Sequence, residues 1–432
     1  MVRIMSASSG SPLVPIERFR MSSAPHTPTA AAPVTASRGL PPVVYLLGAV
    51  TFLIGTSELI VAGLLPDIAA ALHTTVSRAG LMITLFAAGM IIGAPVMALA
   101  TMRLPRRATL ILALVVFGIA HVLSAVSTDL TVVLVARFVA GIATGTFWAV
   151  GFVVAVAASG QAAAARATGI LVLGITLANI VGVPLGTALG QALTWQGPFW
   201  ILAGLSLATA LLLTWVLPPD VRGHRATLRE EVASIRRPRL WAVYLATALI
   251  QAAFLAPYSY VAPLLTDQAG LPAALVPLAM LGYGIGGVVG NILGGRLGDR
   301  RPYGTVNIAV GLLAVVLAAI VWWATSSVVA VILIALVGVF GFVGNPIMMS
   351  LIARASGPAN TLAIALGTSA IQIGVAAGSA LGGTAFDSGL GVRGPTVVGF
   401  TAAVLALFTL LALTATRARA ASADAHRVQA PE

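Results

Sequence analysis

Long apolar runs follow one another down the chain, broken by short segments rich in Gly, Pro and Arg. A helix that crosses a bilayer takes about 20 mostly apolar residues. On that measure the pattern predicts twelve spans, over roughly 42–64, 79–101, 107–127, 130–152, 166–190, 198–217, 240–263, 276–297, 305–325, 327–350, 361–385 and 395–416. The first run is expected to be a true span and not a cleaved leader. It is too long, it starts about 40 mostly polar residues into the chain, and no small-residue cleavage pattern follows it.

The polar segments divide the chain. Residues 1–41, rich in Ser, Pro, Ala and Thr, read as a disordered tail, and 417–432 as a second short tail. The longest interior polar segment, 218–239, separates six spans from six, giving one bundle over 42–217 and another over 240–416. The halves resemble each other. RLPRR at Arg103 to Arg107 matches GRLGDRRP at Gly295 to Pro302. Aligning Arg103 with Arg300 also brings Gly141 onto Gly338. GTALG starting at Gly186 likewise matches GSALG starting at Gly378. Two similar six-helix halves describe many secondary transporters, whose binding site lies at the repeat interface near the midplane. The fold class expected is therefore an all-α membrane protein of twelve helices in two pseudo-symmetric bundles.

Composition agrees with a bilayer solvent. The chain is 59% hydrophobic and 8% charged, against about 25% charged in an average soluble domain. Its net charge is +12, and all 24 cations are Arg. A nucleic-acid binder gathers such charge on one polar face; here the Arg residues are scattered between apolar runs, so no nucleic-acid partner is expected. They set topology instead. With the N-terminus in the cytoplasm, the inside segments hold 21 Arg, the outside segments hold only Arg78 and Arg393, and Arg137 lies within a span. This predicts a multi-pass protein of the cell (inner or plasma) membrane with both termini cytoplasmic; a monomer is expected. The absence of Cys excludes disulfide and thiolate chemistry. Five well-separated His and few acids offer no metal site. Without Lys there is no phosphate-cradling G-x-x-x-x-G-K loop. No cofactor is expected, and energy must come from an ion gradient.

The motifs resemble those of the major facilitator superfamily over about 42–416. GGRLGDRR after the eighth span is similar to the family's G-x-L-x-D-R loop, and RFVAG at Arg137 to Gly141 to its fourth-helix motif. GVPLGTALG, containing Gly182, Pro184, Gly186 and Gly190, resembles the fifth-helix signature of drug/proton antiporters. GTSE at Gly55 to Glu58 and LLPDIA at Leu64 to Ala69 resemble the branch of chloramphenicol-efflux and arabinose-efflux permeases. The first-half loop departs from the pattern, with Met102 and Ala98 where the family has Asp and Gly, while Gly295, Asp299 and Arg300 keep the second copy. The resemblance implies a proton-coupled exporter of a small amphipathic compound, chloramphenicol-like by family, or alternatively a sugar or metabolite exporter. An enzyme would need paired acids or a His/Ser constellation within the spans, and a receptor or scaffold a sizeable further domain; neither is visible.

Glu58 is the only acid well inside a predicted span. Such a residue is costly and usually faces a cavity. With the first span ending near Pro66, Glu58 lies about 12 Å below that end, at about 1.5 Å per residue. Arg137, eight residues after Asp129, falls at the same depth. The family fold puts both helices on the cavity of the first half, so an ion pair, direct or through water, is allowed. Burial disfavours the carboxylate and a neighbouring guanidinium favours it, so the pair could take up a proton in one conformation and release it in another. The alternative is a permanent brace. Pro184 should bend its helix, and the glycines beside it allow close packing. Asp299 and Arg300 could make charge pairs only when the cytoplasmic side is shut. Cavity candidates are Phe147, Trp148, Asn179, Gln251, Phe254, Tyr258, Tyr260, Tyr283, Asn291, Asn345 and Gln372. His121, near the outer end of the third span, is expected at the interface.

Overall fold

The computed structural model describes residues 39–100, 104–160, 163–217, 237–356 and 361–428. Most of the expected first tail, the interior segment 218–236, Met102 and Arg103 lie outside the described residues. Among the described residues, twelve helices are long and apolar enough to cross a membrane: α1 (Pro42–Ala71), α2 (Val76–Ala100), α3 (Arg106–Val126), α4 (Leu130–Ser159), α5 (Ala164–Ala192), α6 (Gln196–Val216), α7 (Pro238–Ser259), α8 (Val276–Arg300), α9 (Pro302–Trp323), α10 (Ser327–Ser356), α11 (Thr361–Phe386) and α12 (Gly394–Val428). Among the described residues there is no strand.

Local chemistry sets the helix ends. Pro42, Pro238 and Pro302 stand in first turns, where a missing N–H costs nothing. Asp129 caps α4 by accepting from the Thr131 backbone N–H at 2.6 Å. Gly160, at φ 75°, ends it. Several helices outrun the expected spans. α1 continues through Pro66 to Ala71, because apolar residues persist beyond the proline and pack inside the bundle. At about 1.5 Å per residue its 30 residues exceed the roughly 30 Å hydrocarbon layer. The GRLGDRR segment, read from sequence as a loop, is helical through Arg300. The expected second tail begins as a continuation of α12, which runs to Val428.

The outward faces carry leucines, valines and isoleucines exposed as only lipid would permit. Exposed Trp215 and Trp241 mark one end of the bundle, and Trp322 and Trp323 the other, as amphipathic rings do at membrane interfaces.

Inside, small residues bring backbones together. α2 crosses α4 where a Cβ on Gly141 would stand 2.9 Å from the Phe86 carbonyl carbon. α8 crosses α10 where a Cβ on Gly338 would stand 3.1 Å from the Tyr283 carbonyl carbon. Tyr283 follows Phe86 by the same interval that separates Gly338 from Gly141, so one backbone contact occurs twice in the chain.

Two seams join the earlier six helices to the later six: α2 against α11, and α8 against the Ala178–Ala192 part of α5. Ser379 donates to the Gly80 carbonyl at 3.3 Å, Ser369 to the Ile91 carbonyl at 3.0 Å, and Gln191 to the Ala273 carbonyl at 3.2 Å. The Ser77 hydroxyl also donates to the Asp387 carboxylate. Apart from the mid-span Ser369 bond, these contacts lie toward the end holding the α1–α2 and α7–α8 turns, the Arg-poor end of the molecule.

Candidate functional site

α1 carries Ser57 and Glu58 side by side in its middle, and its neighbours treat them differently. Ser57 is fully buried; Glu58 keeps part of its surface accessible. The two residues expected to pair are partnered separately. Arg137, 1% exposed on α4, donates from Nη1 to the Ser57 hydroxyl at 2.9 Å and from Nη2 to the Ser57 carbonyl at 3.1 Å. Its Nε reaches the Met82 carbonyl at 3.5 Å, and its guanidinium lies 4.2 Å from the centre of the Phe86 ring. Glu58 instead accepts at Oε1 from Gln372 Nε2 on α11, at 2.9 Å. Glu58 and Arg137 interact electrostatically without bonding.

His121 on α3 completes the buried network. It is 1% exposed and not at the interface as its position near the end of the span suggested. Its Nδ1 lies 2.8 Å from the Phe117 carbonyl and its Nε2 2.8 Å from the Ser57 hydroxyl. A carbonyl only accepts, so Nδ1 carries a proton, and in the neutral imidazole Nε2 then accepts from Ser57. Ser57 then uses its donor on His121 and its acceptor on Arg137. The ring sits between Phe117 and Phe199, with centroids 4.1 and 5.7 Å away. Ser57, Phe86 and Phe199 were not singled out from sequence; only the adjacency of Ser57 to Glu58 could have flagged one of them.

A second cluster gathers five of the cavity candidates. Tyr258 of α7 stacks on Tyr283 of α8 at 4.1 Å. Phe342 of α10, missed in the sequence, contacts both Tyr283 (5.8 Å) and Phe254 (5.1 Å). Gln251 donates from Nε2 to Asn345 Oδ1 at 3.2 Å. Among the buried polar atoms without a partner are the Tyr283 hydroxyl and Gln251 Oε1 in this cluster, and Gln372 Oε1 on α11. Buried polar atoms are nearly always bonded, and one left open calls for an explanation. The three come from α8, α7 and α11.

The other candidates lie elsewhere. Farther along α4, Trp148 stacks on Phe152 and meets Phe147 edge-on, Phe147 being about 15 Å beyond Arg137 at about 1.5 Å per residue. Asn291 is exposed. Tyr260 is not a cavity residue: its hydroxyl donates to the Ser379 carbonyl at 3.1 Å, in the Arg-poor seam. Asp299 and Arg300 are exposed on the last turn of α8, and Gly295 faces open space. Gly182, Gly186 and Gly190 line up on α1; a Cβ at Gly182 would stand 3.1 Å from Phe52 and one at Gly190 2.7 Å from Leu64. Pro184 removes an N–H, and α5 absorbs the loss in a π-helical turn, Ala178–Gly182. That turn carries Asn179, whose backbone lies under Gly284 of α8. Among the described residues no His, Asp and Glu group could hold a metal. An apolar groove of about 310 Å³ between α3 and α4, lined by Val116, Ile119, Leu123 and Val135, lies on the outer face and holds none of these residues.

Residues 47–361 match the family model of the Major Facilitator Superfamily. The chain belongs to the major facilitator superfamily. A chloramphenicol resistance protein of Streptomyces lividans is 34% identical over 393 residues, 90% of this chain and 100% of that protein. The inner membrane transport protein YdhP of Escherichia coli (strain K12) is 33% identical over 356 residues, 82% of this chain and 92% of that protein. Solved structures share the fold at low identity. A bacterial homologue of the human lysosomal transporter Spinster, inward-facing and occupied, gives a TM-score of 0.70 at 14% identity, covering 88% of this chain and 98% of that one. The nucleoside transporter NupG also gives 0.70, at 12% identity, covering 87% and 100%. The protein is a multi-pass membrane transporter of this superfamily and not an enzyme.

Proposed function

We propose that this superfamily transporter exports a small, uncharged, amphipathic compound from the cell in exchange for protons. The observation that carries the reading is Glu58, a mid-helix acid that is not fully buried, bonded to Gln372 of the other half and not to Arg137. A carboxyl left out of a tight ion pair remains free to gain and lose a proton as its surroundings change. The aromatic cluster, with the open Tyr283 hydroxyl and Gln251 Oε1, supports a substrate with a flat apolar part and a few hydrogen-bonding groups. The likeness to a chloramphenicol resistance protein favours a chloramphenicol-like drug. The Tyr258–Tyr283 stack would serve a sugar ring equally, which keeps a sugar or metabolite exporter as the second reading.

In the cycle proposed, substrate enters from the cytoplasm between the halves and displaces the proton from Glu58. The halves rock, substrate leaves, and Glu58 takes a proton from outside. The Arg distribution supports both termini in the cytoplasm. Exchange of one proton for one neutral molecule moves charge, so a membrane potential should also drive export, at about 2.3 kcal/mol per charge per 100 mV. The test is Glu58→Gln in vesicles. Gln keeps the size and hydrogen bonding but releases no proton, so substrate should still bind while uphill export and substrate-induced proton release are lost. A Gln variant that still concentrates substrate under a proton gradient removes Glu58 from the mechanism.

A further inference from the structure

Two of the polar bonds that cross between the halves join side chains with an acid among them: Gln372–Glu58 in mid-span, and Ser77–Asp387 at the Arg-poor end. The Ser379, Ser369 and Gln191 bonds end on backbone carbonyls and are the same in every protonation state. Gln372 is 4% exposed, and its Oε1 has no partner while its Nε2 is spent on Glu58. The open atom therefore belongs to the same amide that holds the carboxyl.

We propose that Gln372 is the positioning residue that links the protonation of Glu58 to closure of the Arg-poor end. The inference rests on the proton-exchange reading above. An ionised carboxylate can only accept, so it takes one N–H from Gln372 and leaves the amide oxygen buried and unsatisfied. A protonated carboxyl has one donor. Turned onto Oε1, it makes a second bond beside the first, and acid and amide close a ring of two hydrogen bonds. No atom of the pair then stays open. Proton uptake thus tightens α1 against α11 at this level, and proton loss slackens it. The order suits exchange: a proton taken from the Arg-poor side closes that side behind it.

One other acid crosses to the facing half, Asp387 just after α11, which accepts from Ser77 at the Arg-poor end and whose response the Glu58→Gln chain isolates; the groups nearer Glu58 do not supply an alternative switch. Of the groups on the helices packed against α1 and α11, Arg137 on α4 is the one that interacts with Glu58 electrostatically. It is held by Ser57, with neutral His121 behind that hydroxyl. Tyr258 and Tyr283 are stacked on each other, Tyr260 is bonded within the seam, and Tyr244 is bonded to the Ala363 carbonyl. The remaining charges on α1, α2, α5, α7, α8, α10, α11 and α12 lie at or near helix ends.

The chain has no Cys, so two probes can be placed without background. Arg78 on α2 and Leu390 after α11 are both exposed at the Arg-poor end. Spin labels on the Arg78→Cys/Leu390→Cys variant would report the distance across that end in lipid nanodiscs. Lowering the pH from about 8.5 to about 5 should enrich the short distance in the otherwise native chain. Gln372→Leu, similar in volume, should lose the response. Gln372→Glu should keep one, since two carboxyls can share a proton. Glu58→Gln should hold the short distance at both pH values, and it serves as the second test where the Leu variant does not fold. A Gln372→Leu chain that responds like the parent, a parent that does not respond, or a Glu58→Gln chain that still responds would each overturn the proposal. None of these readings uses transport. Export by the unlabelled parent that ignores an imposed pH gradient would overturn proton exchange instead, and the two failures are told apart.

Discussion

Ser57→Ala tests the buried network directly. The hydroxyl does two jobs: it accepts from Arg137 Nη1 at 2.9 Å and donates to His121 Nε2 at 2.8 Å. Losing the bond to a charged donor costs about 1.5–3 kcal/mol, and losing the neutral one about 0.5–1.5 kcal/mol. The alanine offers neither group a replacement. Arg137 keeps the Ser57 carbonyl and the Phe86 ring, so the expected loss is about 2–4 kcal/mol and not the full cost of a buried free charge. The measurement is equilibrium unfolding of purified protein in mixed micelles against rising SDS fraction. A cycle with His121→Leu sharpens it. Without the imidazole no Nε2 is left open, so Ser57→Ala should cost about 1 kcal/mol less in that background. A single-variant loss under about 0.5 kcal/mol, or strict additivity in the cycle, would refute the Ser57–His121 hydrogen bond as a stabilising contact.

Gly141→Ala should destabilise by about 1–3 kcal/mol in the same assay, since its Cβ meets the Phe86 backbone, whereas Gly295→Ala, with open space around it, should be near neutral. A reporter fused after Arg239 should behave as cytoplasmic and one inserted after Gly270 as external; finding both on one side would remove the proposed orientation. Replacing Asp299 by Asn or Arg300 by Gln should slow export without reducing the amount of inserted protein, measured by vesicle uptake against immunoblot. An unchanged rate in the double variant would leave this turn of α8 a topological signal only.

Span number and helical class were legible because bilayer solvation demands long apolar runs, which no local detail can hide. Span ends were less so. The chain past Pro66 stays helical because packing inside the bundle outweighs a missing N–H, and packing is not written in a hydropathy pattern. The repeat was legible for a related reason. Gly141 and Gly338 are each pressed against a backbone carbonyl, so both positions demand the same residue type in two otherwise divergent halves.

The partners of Glu58 were not legible, although the residue itself was. A lone carboxylate in an apolar span announces itself by its cost. Depth arithmetic brought Arg137 to its level, and Arg137 does arrive there, but on Ser57, one residue earlier. Residues 57 and 58 differ by about 100° around a helix, so a shared depth leaves the facing direction open. That rotation has a consequence for coupling. It turns Ser57 into the half that holds α3 and α4, where Arg137 and His121 are fixed with no surface to spare. It turns Glu58 toward α11, across the seam that must open and close if the halves rock. One helical step thus separates a rigid anchor from a movable acid. A bonded Glu58–Arg137 pair would have kept the acid within its own half, where gaining a proton would have cost the pair without touching the seam.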